Sequence, residues 1–189
     1  MEKLFVLAFA VVIFYSCSNS TKTPSTNGAS TDQTDQKQLV IENDMESAAS
    51  LISGWINEVT VVKMEKVKAH SGELVSKVDD INLYSYTYRE QFENINEKLP
   101  TRVVVNGWFY LPEVNEKAAM VMDINENNET YIWKAYDLMD ENPALNQWNE
   151  FTAYFTIDQP IKPGHQIKLF GFGGKKVAYF DDIKITFEY

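Results

Sequence analysis

The sequence predicts an all-β domain, a two-sheet antiparallel β-sandwich over residues 38–189, and three observations lead there. Short runs alternate apolar and polar residues with the period of two that half-buried strands require. Turn chemistry separates those runs, at Ser71-Gly72, Asn125–Asn128, Pro160–Gly164 and Gly173-Gly174. No stretch sustains a long helical period; a short helical turn is expected only at Asn94–Lys98. A segment of about 150 residues is long enough for one domain with its own core.

In chain order the expected strands are Leu39–Asn43, Glu58–Val62, Leu74–Asp79, Leu83–Tyr88, Thr101–Leu111, Ala118–Ile124, Thr130–Leu138, Asn149–Ile157, Gln166–Phe172 and Val177–Phe187. Short strands at this spacing are those of a sandwich. In Thr101–Leu111 the odd positions Val103, Val105, Gly107, Phe109 and Leu111 form the core face, which sends Trp108 and Tyr110 outward beside Arg102 and Asn106. In Asn149–Ile157 the internal set is Phe151, Ala153, Phe155 and Ile157, leaving Tyr154 outside. In Gln166–Phe172 the internal set is Ile167, Leu169 and Gly171, so Lys168, Phe170 and Phe172 face out. Trp55, Trp133 and Trp148 stand at strand edges or starts and read as packing residues.

Ahead of the domain, residues 1–16 read as an export signal. Lys3 supplies a positive start, and the apolar run Leu4–Tyr15 is too short to span a bilayer, which takes ~20 residues. The run ends in Phe14-Tyr15-Ser16-Cys17, which resembles the lipobox of bacterial lipoproteins, although Phe14 and Tyr15 depart from its commonest residues. The resemblance implies a lipid on Cys17 and membrane attachment through it; an uncleaved N-terminal anchor is the alternative. Cys17 is the only cysteine, so an intrachain disulfide, a thiolate metal site and a second cysteine nucleophile are excluded. Residues 17–37 are rich in Ser, Thr, Asn and Gln and hold no large apolar side chain, the composition of a tether. Ser18 is no strong inner-membrane retention cue, so the expected location is the cell envelope, lipid-anchored at the outer membrane. A net charge of −10 without a basic patch argues against nucleic acid as a partner.

The last strand carries an anomaly. Val177, Tyr179, Ile183, Ile185 and Phe187 share one parity and read as core, and Asp181 falls among them. A carboxylate on an apolar face is costly unless it meets donors or a cation. Two readings fit: a shared Ca²⁺ held by Glu46, Asp181 and loop carbonyls near Ser71–Gly72, or a carboxylate held by backbone N–H groups or a Tyr hydroxyl without metal.

Glu42-Asn43-Asp44-Met45-Glu46 followed by Gly54-Trp55 resembles the opening of CenC-type carbohydrate-binding modules. His70-Ser71-Gly72-Glu73-Leu74 is similar to their turn before a strand, and Val177–Ile185 to their closing strand with its Asp-Asp pair. The three segments follow in order across roughly Leu39–Tyr189. The resemblance implies a galactose-binding-like jelly roll, a structural Ca²⁺ with Glu46 and Asp181 as side-chain ligands, and sugar binding on a concave sheet face or at loop tips.

The leading expectation is therefore non-catalytic glycan binding by a membrane-attached lipoprotein. Arg102, Asn106, Trp108, Tyr110, Tyr154 and Phe170 supply the candidate contacts, because flat rings stack on pyranose faces while polar groups bond hydroxyls. A structural or protein-interaction lipoprotein without a sugar site is the alternative, and one contiguous aromatic platform would call for a partner. An enzyme is disfavoured: there are two histidines, His70 and His165, no HExxH and no GxSxG.

Overall fold

Alternation and turn chemistry produce the strands largely where the sequence places them. The computed structural model describes residues 38–47 and 54–189, so the export signal, Cys17 and the expected tether lie outside the described residues. The elements are β1 (Leu39–Asn43), β2 (Trp55–Ile56), β3 (Val61–Lys63), β4 (Leu74–Val78), β5 (Thr87–Gln91), α1 (Phe92–Ile95), β6 (Arg102–Tyr110), β7 (Ala119–Glu126), β8 (Glu129–Asp137), β9 (Trp148–Thr156), β10 (Gln166–Phe172) and β11 (Ala178–Glu188).

Two expected strands shift. Glu58–Thr60 forms a 3₁₀ turn instead of strand: Asn57 adopts a left-handed φ of 73°, and the Thr60 hydroxyl donates back to the Asn57 carbonyl at 2.9 Å. Only Val61–Lys63 continues as β3. The strand expected at Leu83–Tyr88 starts later, at Thr87, and Tyr84 contributes an isolated bridge to Phe172. The helical turn falls just ahead of its expected place, at Phe92–Ile95.

The pairings build two antiparallel sheets. One runs β3-β4-β11-β6-β9, with β1 also on β11; the other runs β2-β5-β10-β7-β8. One edge of β11 is shared end to end, since β4 pairs with Ala178–Phe180 and β1 with Ile183–Phe187. The sandwich core takes Val103, Val105, Phe109, Phe151 and Phe155 from the first sheet, and Met120, Met122, Ile124, Ile167 and Leu169 from the second. Burying a side chain of this size contributes about 1.5–3 kcal/mol. The sheets approach closely at Gly171, where a Cβ would stand 2.3 Å from Phe180 Cε2.

The parity read for β11 is corrected by a bulge. Ala178 and Phe180 face the core, the register shifts between Asp181 and Lys184, and Ile183, Ile185 and Phe187 then take over the inward face. Asp182 sits at φ 49° in that bulge. An extra residue of this kind reverses which side chains point inward. Tyr179 therefore lies on the outer face, against Tyr110, and Asp181 lies opposite Trp108 rather than in the sandwich core. Among the described residues no helix is long and apolar enough to cross a membrane.

Candidate functional site

The outer face of the β2-β5-β10-β7-β8 sheet presents a groove with aromatic walls. Strand alternation puts Lys168 and Phe170 on the side opposite the core residues Ile167 and Leu169, and Asp123 between the core residues Met122 and Ile124. Register then aligns one row across four strands: Arg89 on β5, Lys168 on β10, Asp123 on β7 and Trp133 on β8. The neighbouring row is apolar, with Phe170, Val121 and Ala135 side by side.

Phe170 forms the floor. It is 5% exposed and packs with Ala119 and Val121. Tyr84 stands on one side at a centroid distance of 4.9 Å and 70°, and Trp133 on the other at 5.8 Å and 60°. Both wall residues are open to solvent, Tyr84 at 46% and Trp133 at 50%. Between them lies a groove of ≈ 580 Å³, to which Asn57, Thr87 and Thr130 add polar groups.

The loop bearing Tyr84 is fixed on both sides. Asn57 Nδ2 donates to the Tyr84 carbonyl at 2.7 Å, the Ser85 N–H donates to the Gly171 carbonyl at 3.0 Å, and the Gly171 N–H donates to Ser85 Oγ at 2.7 Å. Lys168 Nζ lies 3.7 Å from Asp123 Oδ2, and Asp123 Oδ1 accepts from Asn125 Nδ2 at 2.9 Å.

The six residues singled out from the sequence do not form one surface. Phe170 alone belongs to this groove; Arg102, Asn106, Trp108, Tyr110 and Tyr154 lie on β6 and β9 of the other sheet. Most of their binding capacity is spent internally. Arg102 Nε donates to Glu188 Oε2 at 2.5 Å, with its guanidinium carbon 5.8 Å from the Tyr154 ring centre. Asn106 Nδ2 donates to Thr152 Oγ1 at 2.7 Å. The Trp108 face is covered by His70, stacked at 3.8 Å and 14°. Tyr110, expected outside, is 5% exposed because Trp148 and Tyr179 close over it. Tyr154 is open, at 61%.

Trp133 reverses its expected packing role. Its neighbour Ile132 points inward, so period-two reading of β8 assigns Trp133 to the outer face. Arg89 and Asp123 join it only through cross-strand register. Trp55 packs in the core as expected.

The carboxylates Glu46 and Asp181 both reach the turn at residues 71–74. Glu46 Oε1 accepts from the N–H groups of Glu73 at 2.8 Å and Leu74 at 2.6 Å. Asp181 Oδ2 accepts from the Ser71 N–H at 3.2 Å, and Oδ1 from the Asp182 N–H at 2.8 Å. Gly72 stands between these partners, where a Cβ would lie 2.3 Å from Glu46 Oε1. Asp181 is fully buried, and desolvation pushes its carboxyl up to about 6 against the pull of the Ser71 N–H. A cation beside it would relieve that burial cost. The donors are hard oxygens, which suit Ca²⁺. Among the described residues no three His, Cys, Asp or Glu side chains cluster for a metal. Backbone carbonyls, such as those of Ser71 and Gly72, and water would have to complete the shell.

Beside this turn, His70 Nδ1 lies 2.6 Å from Asp182 Oδ2, and Ser71 Oγ donates to Asp182 Oδ1 at 2.7 Å. Serine and histidine thus both engage the aspartate, whereas a Ser-His-Asp triad requires the serine to engage the histidine.

No family model matches the chain, and no curated protein matches it. Among solved structures it is similar to the CBM22-2 xylan-binding domain from Paenibacillus barcinonensis Xyn10C, at 12% identity over 78% of this chain and 98% of that one, with a TM-score of 0.47. It is also similar to a Family 16 Carbohydrate Binding Module-2, at 14% identity over 70% and 90% of the two chains, with a TM-score of 0.44. A third is the CBM35 from Cellvibrio japonicus Abf62, at 8% identity over 79% and 92%, with a TM-score of 0.44. Likenesses this remote leave the site to be read from the chain's own residues.

Proposed function

We propose that the domain holds a glycan chain, without cleaving it, in the groove between Tyr84 and Trp133. One observation carries the reading: two half-exposed aromatic walls flank the Phe170 floor, beside a row of polar side chains at strand spacing. Pyranose rings offer apolar C–H faces to such walls, and Thr130, Asp123 and the side-chain oxygen of Asn57, whose Nδ2 is taken by the Tyr84 and Ser85 carbonyls, line the groove for hydrogen bonds with hydroxyls. A concave, mostly preformed site with few polar groups is the usual form of a ligand site.

The lipid on Cys17 would tether this domain at the cell envelope, on the outer membrane. Labelling with a radioactive fatty acid tests it: the parent takes up label, Cys17→Ser does not, and an unlabelled parent rejects the anchor. The Ca²⁺ proposed at Glu46 and Asp181 would be structural, holding β1, the turn at residues 71–74 and β11 together.

The glycan reading is tested by affinity electrophoresis on a panel of neutral and acidic polysaccharides. Trp133→Ala should weaken retention by ~30-fold, as for a binding hot spot of about 2 kcal/mol. Its Tm should stay near the parent's, because the ring is half outside. Tyr154→Ala, on the other sheet, should leave retention unchanged. Retention on no polysaccharide, or loss with Tyr154→Ala alone, rejects the groove.

A further inference from the structure

The groove is locally cationic on an acidic chain. The chain carries a net charge of −10, yet the charged lining of the groove is Arg89, Lys168 and Asp123, two cations against one carboxylate. Many other cations meet an acid closely: Lys63 with Glu73 at 2.7 Å, Lys77 with Asp79 at 2.9 Å, Arg102 with Glu188 at 2.5 Å, and Lys184 with Glu42 at 3.0 Å. Lys168 has only the looser 3.7 Å approach to Asp123, whose Oδ1 is already occupied by Asn125. Arg89 makes no side-chain ion pair with any described carboxylate within 4.0 Å, and its backbone N–H donates to the Gly54 carbonyl at 2.6 Å.

Arg89 and Lys168 are also direct cross-strand partners. Like charges facing each other across a strand pair destabilise a sheet, so this placement costs stability in the free protein. An anion laid over the pair removes that repulsion, and a guanidinium presents a two-pronged donor that matches a carboxylate. The row continues through Asp123 to Trp133, so an anion over Arg89 and Lys168 leaves the Trp133 ring free for a sugar face two strands away.

Building on the glycan reading above, we infer that the ligand is acidic: a polysaccharide of uronic acid residues, whose carboxylates are taken by Arg89 and Lys168 while its rings stack against Trp133 and Tyr84. Asp123 then serves two ends, orienting Lys168 and accepting from a sugar hydroxyl.

The test uses the full chain in detergent and uronate polymers, namely polygalacturonate, alginate and a glucuronan. Each is paired with its carboxyl-reduced, neutral derivative of the same linkage. At least one acidic polymer should be retained ten-fold or more better than its reduced partner, with the difference shrinking at high salt. Arg89→Gln should lose about ten-fold on the acidic polymer and far less on the reduced one, and Arg89→Lys should fall between. Arg89 is exposed, so the Arg89→Lys melt should overlay the parent's, and Arg89→Gln, which relieves the repulsion with Lys168, should melt at or slightly above it. Equal retention of acidic and reduced forms, or an Arg89→Gln variant as tight as the parent, overturns the acidic ligand and leaves the groove standing. Retention of no polymer, acidic or neutral, removes the groove reading itself.

Discussion

Gly72→Ala gives the sharpest test of how the turn at residues 71–74 is built. The native φ is +52°, a left-handed conformation that costs an L-residue roughly 1–2 kcal/mol. The added methyl would also stand 2.3 Å from Glu46 Oε1 and 2.4 Å from its Cδ, so the carboxylate must move. Moving it breaks hydrogen bonds from the Glu73 and Leu74 N–H groups. Bonds to a charged group contribute about 1.5–3 kcal/mol each, and Glu46 is exposed, so the low end applies once. The sum is about 3 kcal/mol, and for a domain of this size that lowers Tm by roughly 6–12 °C. Differential scanning calorimetry reads it directly. Gly164→Ala is the control, since its Cβ would meet nothing within 4 Å, and it should leave Tm unchanged. Glu46→Ala removes the clash, so in that background Gly72→Ala should cost only the conformational part, about 1–2 kcal/mol. A Gly72→Ala melt within about 2 °C of the parent refutes the reasoning, and an equal cost in both backgrounds refutes its steric half.

Removing divalent ions with EDTA should lower Tm, and Asp181→Ala should abolish that response; a parent melt indifferent to EDTA rejects the Ca²⁺ proposed at Glu46 and Asp181. Acid should weaken the loop that carries Tyr84. Asp79 accepts from the N–H groups of Asn82 at 2.8 Å and Ile81 at 2.9 Å and pairs with Lys77 at 2.9 Å, and these, the Asn82 bond foremost, hold its carboxyl below the ordinary 3.8. A carboxyl depressed by folding stabilises above its unfolded value and loses that contribution as pH falls through the folded one. The Tm difference between parent and Asp79→Asn should therefore be constant at neutral pH and close below about pH 4, and a difference independent of pH rejects the assignment.

Much of the sandwich is legible because alternation is a local property. In β6, Val103, Val105 and Phe109 take the inward face as parity demands, and β9 and β10 follow the same rule. Reading fails at β11, where the bulge between Asp181 and Lys184 inserts a phase change that no residue pattern announces. Asp181 is buried by His70, Ser71 and the turn they begin, more than a hundred positions away in the chain. Tyr110 has outward parity and is nonetheless covered, because Trp148 and Tyr179 arrive from other strands. The groove is harder still. Each of Arg89, Lys168, Asp123 and Trp133 has an outward position in its own strand, but their convergence is set by register across four strands. Local periodicity assigns a face, and strand order decides which faces become one surface.

The shared edge of β11 has a mechanical consequence. Gln38 leads directly into β1, whose five residues run antiparallel to β11, from Leu39 opposite Phe187 to Asn43 opposite Ile183. Traction on Gln38 along the strand axis strains all five residue pairs together, as a lap joint carries load, whereas traction across the sheet peels them singly. Because β11 is also paired along β6, a pull in the axial direction spreads into the centre of the sheet instead of stopping at its rim. The direction of force at the domain's first strand, more than its size, would decide whether the sandwich holds or unzips.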